Sequence, residues 1–241
     1  MVPSMPPNSK PKFSVKTISK IILILAAAAL ALPAQEEEAK GGPMGFIRIA
    51  NAVAKGTGPV NVFFNGEDMR PKGYKLGDAT GGIGQKPGSH KITIKREGVK
   101  EGTTTVILEK NQTVTLIPFA EMVPATDQVP AHHKIQILRL KQKTVESGRS
   151  ATFVSVSANP ELKAELMSEN GKWATVFIKR LSIAETPLNF SQAFAPAKVN
   201  GNPINPIPIG GVGNYVVVLY DDPDGKVQSL YFRDFKFLSA D

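Results

Sequence analysis

Cysteine is absent from all 241 residues, which excludes disulfides, thiolate nucleophiles, cysteine metal sites and a lipidated N-terminal cysteine together. Stability must therefore come from burial. Histidine is nearly as scarce: His90, His132 and His133 are the whole supply of imidazole bases. His90 opens an alternating strand and is expected to face solvent, while His132-His133 follow Pro124 and Pro130 in a polar connector. Adjacent histidines on a strand point to opposite faces and make a poor chelate. No glycine-flanked serine elbow accompanies them. No stretch beyond residue 34 sustains a helical period for three turns, although Pro160 to Ser168 allows a brief one.

What is present begins with an address. Residues 1–20 carry Lys10, Lys12, Lys16 and Lys20 and no acidic residue, and Ile21 to Leu32 form an uncharged apolar run of about a dozen residues. That run fits the core of a secretory signal and is short for a membrane span. Small residues follow, with cleavage expected after Ala34 and Ala31 as the competing site. The expected product has no stable membrane span and works outside the cytoplasmic membrane: in the periplasm, in the outer envelope or secreted.

The signal also corrects the charge. Four of the 29 basic residues and none of the 21 acidic ones lie in residues 1–34, so the remainder holds 25 against 21 and the net charge falls from +8 to +4. Its Lys and Arg are scattered, and no nucleic-acid partner is expected.

Beyond a flexible Glu/Lys/Gly segment (35–44), the chain is a series of short β-branched or alternating runs. Phe46-Ile47-Arg48-Ile49 comes first, then Val60 to Phe64 ending on Asn65-Gly66, a pair that tolerates positive φ at both turn centres. His90 to Lys95, Thr104 to Leu108, Thr113 to Phe119 and Ile135 to Leu140 continue the pattern. The reading is all-β.

Landmarks then recur. Ala151 to Val156 leads to Asn170-Gly171 as the Phe46 strand leads to Asn65-Gly66, and glycine clusters follow at Gly81-Gly84 and Gly210-Gly213. Each cluster precedes a strand and a glycine turn, Glu97-Gly98 and Asp224-Gly225. Two units are expected, 45–146 and 147–241. The interval from the Asn-Gly turn to the glycine cluster is 16 positions in the first and 40 in the second, which places about 24 extra residues within 182–208. Pro187, Pro196, Pro203, Pro206 and Pro208 mark that stretch as a loop, because proline at this density does not serve a central strand. Phe190, Phe194, Asn200 and Asn202 in it are the candidate partner-binding residues.

Phe46-Ile-Arg-Ile-Ala-Asn, Val60-Asn-Val-Phe-Phe-Asn-Gly, Pro87-Gly-Ser-His-Lys-Ile and, in the second half, Phe153-Val-Ser-Val-Ser-Ala-Asn-Pro carry a resemblance to a known family. The chain resembles the exported bacterial domains called domain of unknown function 4397, over 45–119 more closely than over 151–232. The resemblance implies two tandem immunoglobulin-like or transthyretin-like β-sandwich units and no activity.

Asp221-Asp222-Pro223-Asp224-Gly225 places oxygen ligands beside a glycine but lacks the spacing of a calcium loop, and reads as a hairpin turn. No catalytic residue, metal or cofactor is expected. The expected role is structural or interactive, with an envelope protein or glycan as partner. A second reading is a glycan or small-ligand module using aromatics such as Trp173, and a third is a hydrolase dependent on His133.

Overall fold

A computed structural model describes residues 44–234. The signal segment, its cleavage sites and Phe235 and Phe237 lie outside the described residues. Every regular element from Met44 to Asp234 is a strand, and among the described residues no helix is long and apolar enough to cross a membrane.

Alternation of apolar and polar residues gives the strands of the two outer layers one buried face each. One outer layer runs in the order β3 (Glu67–Asp68), β2 (Thr57–Phe64), β5 (Gly88–Glu97), β6 (Val99–Leu108). The layer beneath it runs β8 (His132–Lys141), β7 (Thr113–Val123), β1 (Gly45–Ile49), β4 (Ile83–Gln85). A parallel bridge between Lys100 and Lys134 joins β6 to β8 and makes these eight strands one folded sheet. Gly102 allows that approach, since a methyl group there would lie 2.5 Å from the Ile135 carbonyl oxygen.

The second half forms two further sheets. One runs β12 (Ile183–Pro187), β9 (Arg149–Ser155), β15 (Gly213–Asp221), β16 (Val227–Asp234). The other runs β11 (Trp173–Lys179), β10 (Glu161–Met167), β13 (Phe194–Val199), β14 (Asn202–Pro208). Counting from β9, the pairing order is that of the first eight strands, including a parallel pair, β1 with β7 and β9 with β15.

Three cores separate the four layers. Ile47, Val62, Ile92 and Leu116 belong to the first, and Phe153, Leu162, Ile178 and Val217 to the third. Between them Ala50, Ile117 and Phe119 meet Val154, Val216, Val218 and Leu230. β15 is therefore buried on both faces, which explains its unbroken Tyr215-Val-Val-Val-Leu-Tyr220 run. The expected boundary near residue 146 falls in the connector between β8 and β9, and the two halves it divides share this middle core.

Several expectations are corrected. Residues 182–208 are not an inserted loop but contain β12, β13 and β14, which take the sheet positions of β4, β5 and β6. Proline is placed as its missing N–H requires: Pro203, Pro206 and Pro208 lie on an edge strand, and Pro196 lies where the β13–β14 register shifts. The glycine clusters do not correspond, because Gly84 lies in edge strand β4 whereas Gly210-Gly213 lead into central β15. The counterpart of the Gly98 turn between β5 and β6 is Gly201 between β13 and β14, not Gly225. Pro160 to Ser168 holds strand β10 in place of a helical turn. His90 is buried, its ring 3.3 Å from the Asn65 amide and 2.7 Å from the Lys86 carbonyl oxygen. The alternation of Tyr231, Arg233, Phe235 and Phe237 predicts a terminal strand with one buried face, but Tyr231 is 37 % exposed.

Candidate interaction surface

The four residues singled out in the sequence separate in the structure. Phe190 is a core residue, buried with Leu188 in the third core beneath the segment between β12 and β13. Asn200 and Gly201 form the β13–β14 turn at φ 49° and 78°. The Asn200 backbone N–H donates to the Lys163 carbonyl at 2.8 Å, and its side-chain oxygen accepts from the Lys163 backbone N–H at 2.9 Å. Asn65 makes the same pair of bonds to Lys91, at 2.8 and 2.9 Å. Asn200 is thus a strand clasp, as Asn65 is, and Asn202 is the first residue of β14. Phe194 is left, 58 % exposed at the start of β13.

Phe194 borders a groove of about 430 Å³ with Pro208, Ile209, Tyr215, Tyr231 and Arg233. Its walls are mostly apolar, and Tyr215 and Arg233 are engaged by the protein itself. The Tyr215 hydroxyl donates to the Gly211 carbonyl oxygen at 2.8 Å and accepts from the Gly210 and Gly211 backbone N–H groups at 2.8 Å. The Arg233 guanidinium donates to the Val212 carbonyl and stands 5.7 Å from the Tyr215 ring centre. Arg233 also explains the glycines of this loop, since a methyl group on Gly213 would lie 3.0 Å from its Nε.

A second concavity, also about 430 Å³, lies where β14 and β16 begin, between Asn200, Asn202, Pro203 and Ile204 on one side and Lys226, Val227 and Gln228 on the other. Beside it the Asp222 carboxylate organises the β15–β16 hairpin, accepting from the Asp224 and Lys226 backbone N–H groups at 2.9 Å and from the Gln228 amide at 3.1 Å. These bonds, that from Lys226 foremost, hold its carboxyl below the usual carboxylate range. The aspartates here close a turn.

A third cleft, about 400 Å³, opens beside the middle core and includes His133, Glu121, Arg180, Lys55 and Asp221. Its charges are spent on the protein itself. Arg180 pairs with Glu121 at 3.0 Å and donates from Nε to the Ser157 carbonyl at 3.0 Å, while Lys55 donates to the Pro223 carbonyl at 3.3 Å. Asp221 accepts from the Ser157 hydroxyl and the Ala158 backbone N–H, both at 2.6 Å. No serine, threonine or tyrosine is among the residues lining the cleft beside His133.

Trp173, half-buried at the start of β11, has the Lys198 ammonium 4.1 Å from its ring centre, so a cation already covers that ring. Among the described residues no group of three or more histidine, aspartate or glutamate side chains is placed to hold a metal ion. The groove beside Phe194 was illegible because Tyr215, Tyr231 and Arg233 come from strands 20 to 40 residues further along the chain. No family model matches the chain, and no curated protein matches it either.

Proposed function

We propose that the chain is an exported, non-enzymatic envelope protein built of two tandem immunoglobulin-like or transthyretin-like sandwiches, with a structural and macromolecule-binding role. The repeated strand order supports the duplication, and the resemblance to domain of unknown function 4397 agrees with it. The shared middle core packs the two halves against each other. The observation that carries the binding role is Phe194, 58 % exposed beside Tyr231 on the rim of an apolar groove. A large aromatic on a strand that otherwise buries its apolar residues is the kind of anchor interfaces use.

The test is capture of envelope proteins and glycans by immobilised chain, compared with Phe194→Ala and Tyr231→Ala variants of matched urea midpoint. Loss of a captured partner in both variants is the expected result. Identical capture by all three removes the groove from the role.

A further inference from the structure

A strand at the end of a sheet offers unpaired N–H and C=O groups to any other chain, and five of the six edge strands among the described residues carry a device against this. β3 has two residues and β4 three. β12 carries Glu185, ion-paired with Lys143, and ends on Pro187. β14 holds Pro203, Pro206 and Pro208, and it lies beside β16. β11 has none of these devices. Its seven residues, Trp173–Lys179, include no proline, and their register with β10 is unbroken. β12, reached through the turn at 180–182, pairs with β9 in the other sheet and forms no pair with β11.

Hydrogen bonds at the two ends of the β10–β11 ladder fix which groups are open. The Arg180 N–H donates to the Pro160 carbonyl at 2.8 Å, and the Ser168 N–H donates to the Lys172 carbonyl at 2.9 Å, both in register with the ladder between them. Opposite residues of an antiparallel pair alternate between bonded and unbonded. Ala174, Val176 and Ile178 therefore exchange bonds with β10, while Trp173, Thr175 and Phe177 turn their N–H and C=O groups to the open edge. Lys179 points the same way, but its carbonyl already accepts from the Ser182 N–H at 3.1 Å and the Ser182 hydroxyl at 2.7 Å. Phe177, on the outer face of this stretch, is 61 % exposed.

We propose that two copies of the chain pair antiparallel through β11, about a two-fold axis at Thr175. The occupant follows from the residue pattern, because a two-fold contact must be its own complement. Read in either direction from Thr175, the strand gives a short apolar residue, Ala174 or Val176, and then an aromatic one, Trp173 or Phe177. An axis there sets Trp173 opposite the partner's Phe177 and Ala174 opposite the partner's Val176, while Thr175 meets its own copy. Aromatic and threonine pairs of this kind stabilise antiparallel sheets, and no like charges are opposed. Each open N–H of Trp173, Thr175 and Phe177 then meets an open C=O. An axis at Val176 would call on the occupied Lys179 carbonyl, and one at Ala174 would set Phe177 against the partner's Gly171. β11 and β14 are opposite edges of their sheet, so the pairing leaves the groove beside Phe194 open and the dimer carries two of them.

The experiment uses the full chain and exploits the axis, at which position 175 faces itself. Sedimentation equilibrium follows mass against concentration for the wild type, Thr175→Lys, Thr175→Glu and an equimolar mixture of the two variants. The expected result is a reversible rise to twice the chain mass for the wild type, roughly tenfold or greater weakening in each variant alone, and recovery in the mixture, where lysine meets glutamate. Thr175 is exposed, and matched urea midpoints show that the variants fold. Association through any other segment is indifferent to the charge at this position. In the dimer, amide exchange slows at Trp173, Thr175 and Phe177 and is unchanged at Ala174 and Val176, which already bond to β10. A wild type of single mass into the high micromolar range, variants that associate as the wild type does, or a mixture no tighter than its components each overturns the proposal.

Discussion

Arg48 and Asp234, 186 residues apart in sequence, meet at 2.9 Å in a site where both side chains are almost fully buried. The pair ties β1 to the last described residue of β16. Its surroundings are completed by Asn214, whose amide donates to Asp234 at 3.3 Å, and by the Phe232 ring, whose centre is 4.4 Å from the Arg48 guanidinium carbon. Asn214 in turn accepts from the Ser150 and Thr152 hydroxyls at 2.8 Å. Removing one partner leaves a buried, uncompensated charge. Asp234→Ala is therefore expected to cost about 3–5 kcal/mol, whereas Arg48→Met with Asp234→Leu costs less than the single change. Urea unfolding of the single and double variants measures both, and a double variant no more stable than Asp234→Ala contradicts the account.

The same junction governs cooperativity. β7 sends Leu116 into the first core and Ile117 into the middle one, so loosening it is felt by both halves. Ile117→Ala is expected to lose about 2–5 kcal/mol and to lower one common melting transition. Calorimetry resolving two transitions, with only one moved, shows that the halves unfold independently.

Phe190 and Phe194, four residues apart, are expected to behave oppositely. Phe190 fills the third core, and its truncation to alanine costs about 3–5 kcal/mol. Phe194→Ala changes stability by no more than about 0.5 kcal/mol, because its ring already stands in solvent. Equal losses in denaturant titrations refute this placement.

What the sequence disclosed, and what it withheld, follows from this contrast. Strands announce themselves by local alternation, so the Phe46, Val60, His90, Thr113, Ile135 and Ala151 runs were legible, as was the Asn65-Gly66 turn. Proline was read correctly as unfit for a paired interior position, but an edge strand and a register shift satisfy that rule as well as a loop does. Composition therefore cannot separate β14 from a loop, and a misplaced loop turned three scaffold strands into an apparent insertion. Matching turns by glycine alone failed for a similar reason, since each hairpin needs a residue at positive φ and Gly98, Gly201 and Gly225 all supply one. Phe194 stands on β13 and not in a loop. It remains of interest because Tyr231 and Arg233 lie across the same groove.

The two asparagine clasps give a further test. Asn65 and Asn200 adopt φ of 52° and 49°, a conformation asparagine tolerates better than most residues, and each side chain holds a backbone N–H of the neighbouring strand. Replacing either with alanine loses the bond and keeps the strained backbone, at an expected cost of about 1–2 kcal/mol. Glycine relieves the strain and restores part of that loss. Matched thermal melts of the alanine and glycine variants decide the point, and alanine as stable as glycine contradicts it.

The last prediction concerns acid. Asp222 is half-buried, and its carboxyl is held below 3.8 foremost by the Lys226 backbone N–H, against an opposing effect of desolvation, with the Gln228 amide, the Asp224 N–H and the Lys226 charge adding to the lowering. A folded-state pKa below the unfolded value means that the unfolded chain binds the proton first as pH falls. The contribution of Asp222 is therefore complete above about 3.8 and disappears as pH drops through the lower folded value. Asp222→Asn keeps the size of the side chain but not its charge. The stability gap between wild type and this variant should be constant near neutrality, shrink below about pH 3.8 and close in stronger acid. Urea midpoints across that range, with a carboxyl titration of Asp222 by NMR, measure both quantities. A gap that persists into strong acid, or a titration midpoint at or above 3.8, shows that the hairpin does not depend on the ionised carboxylate.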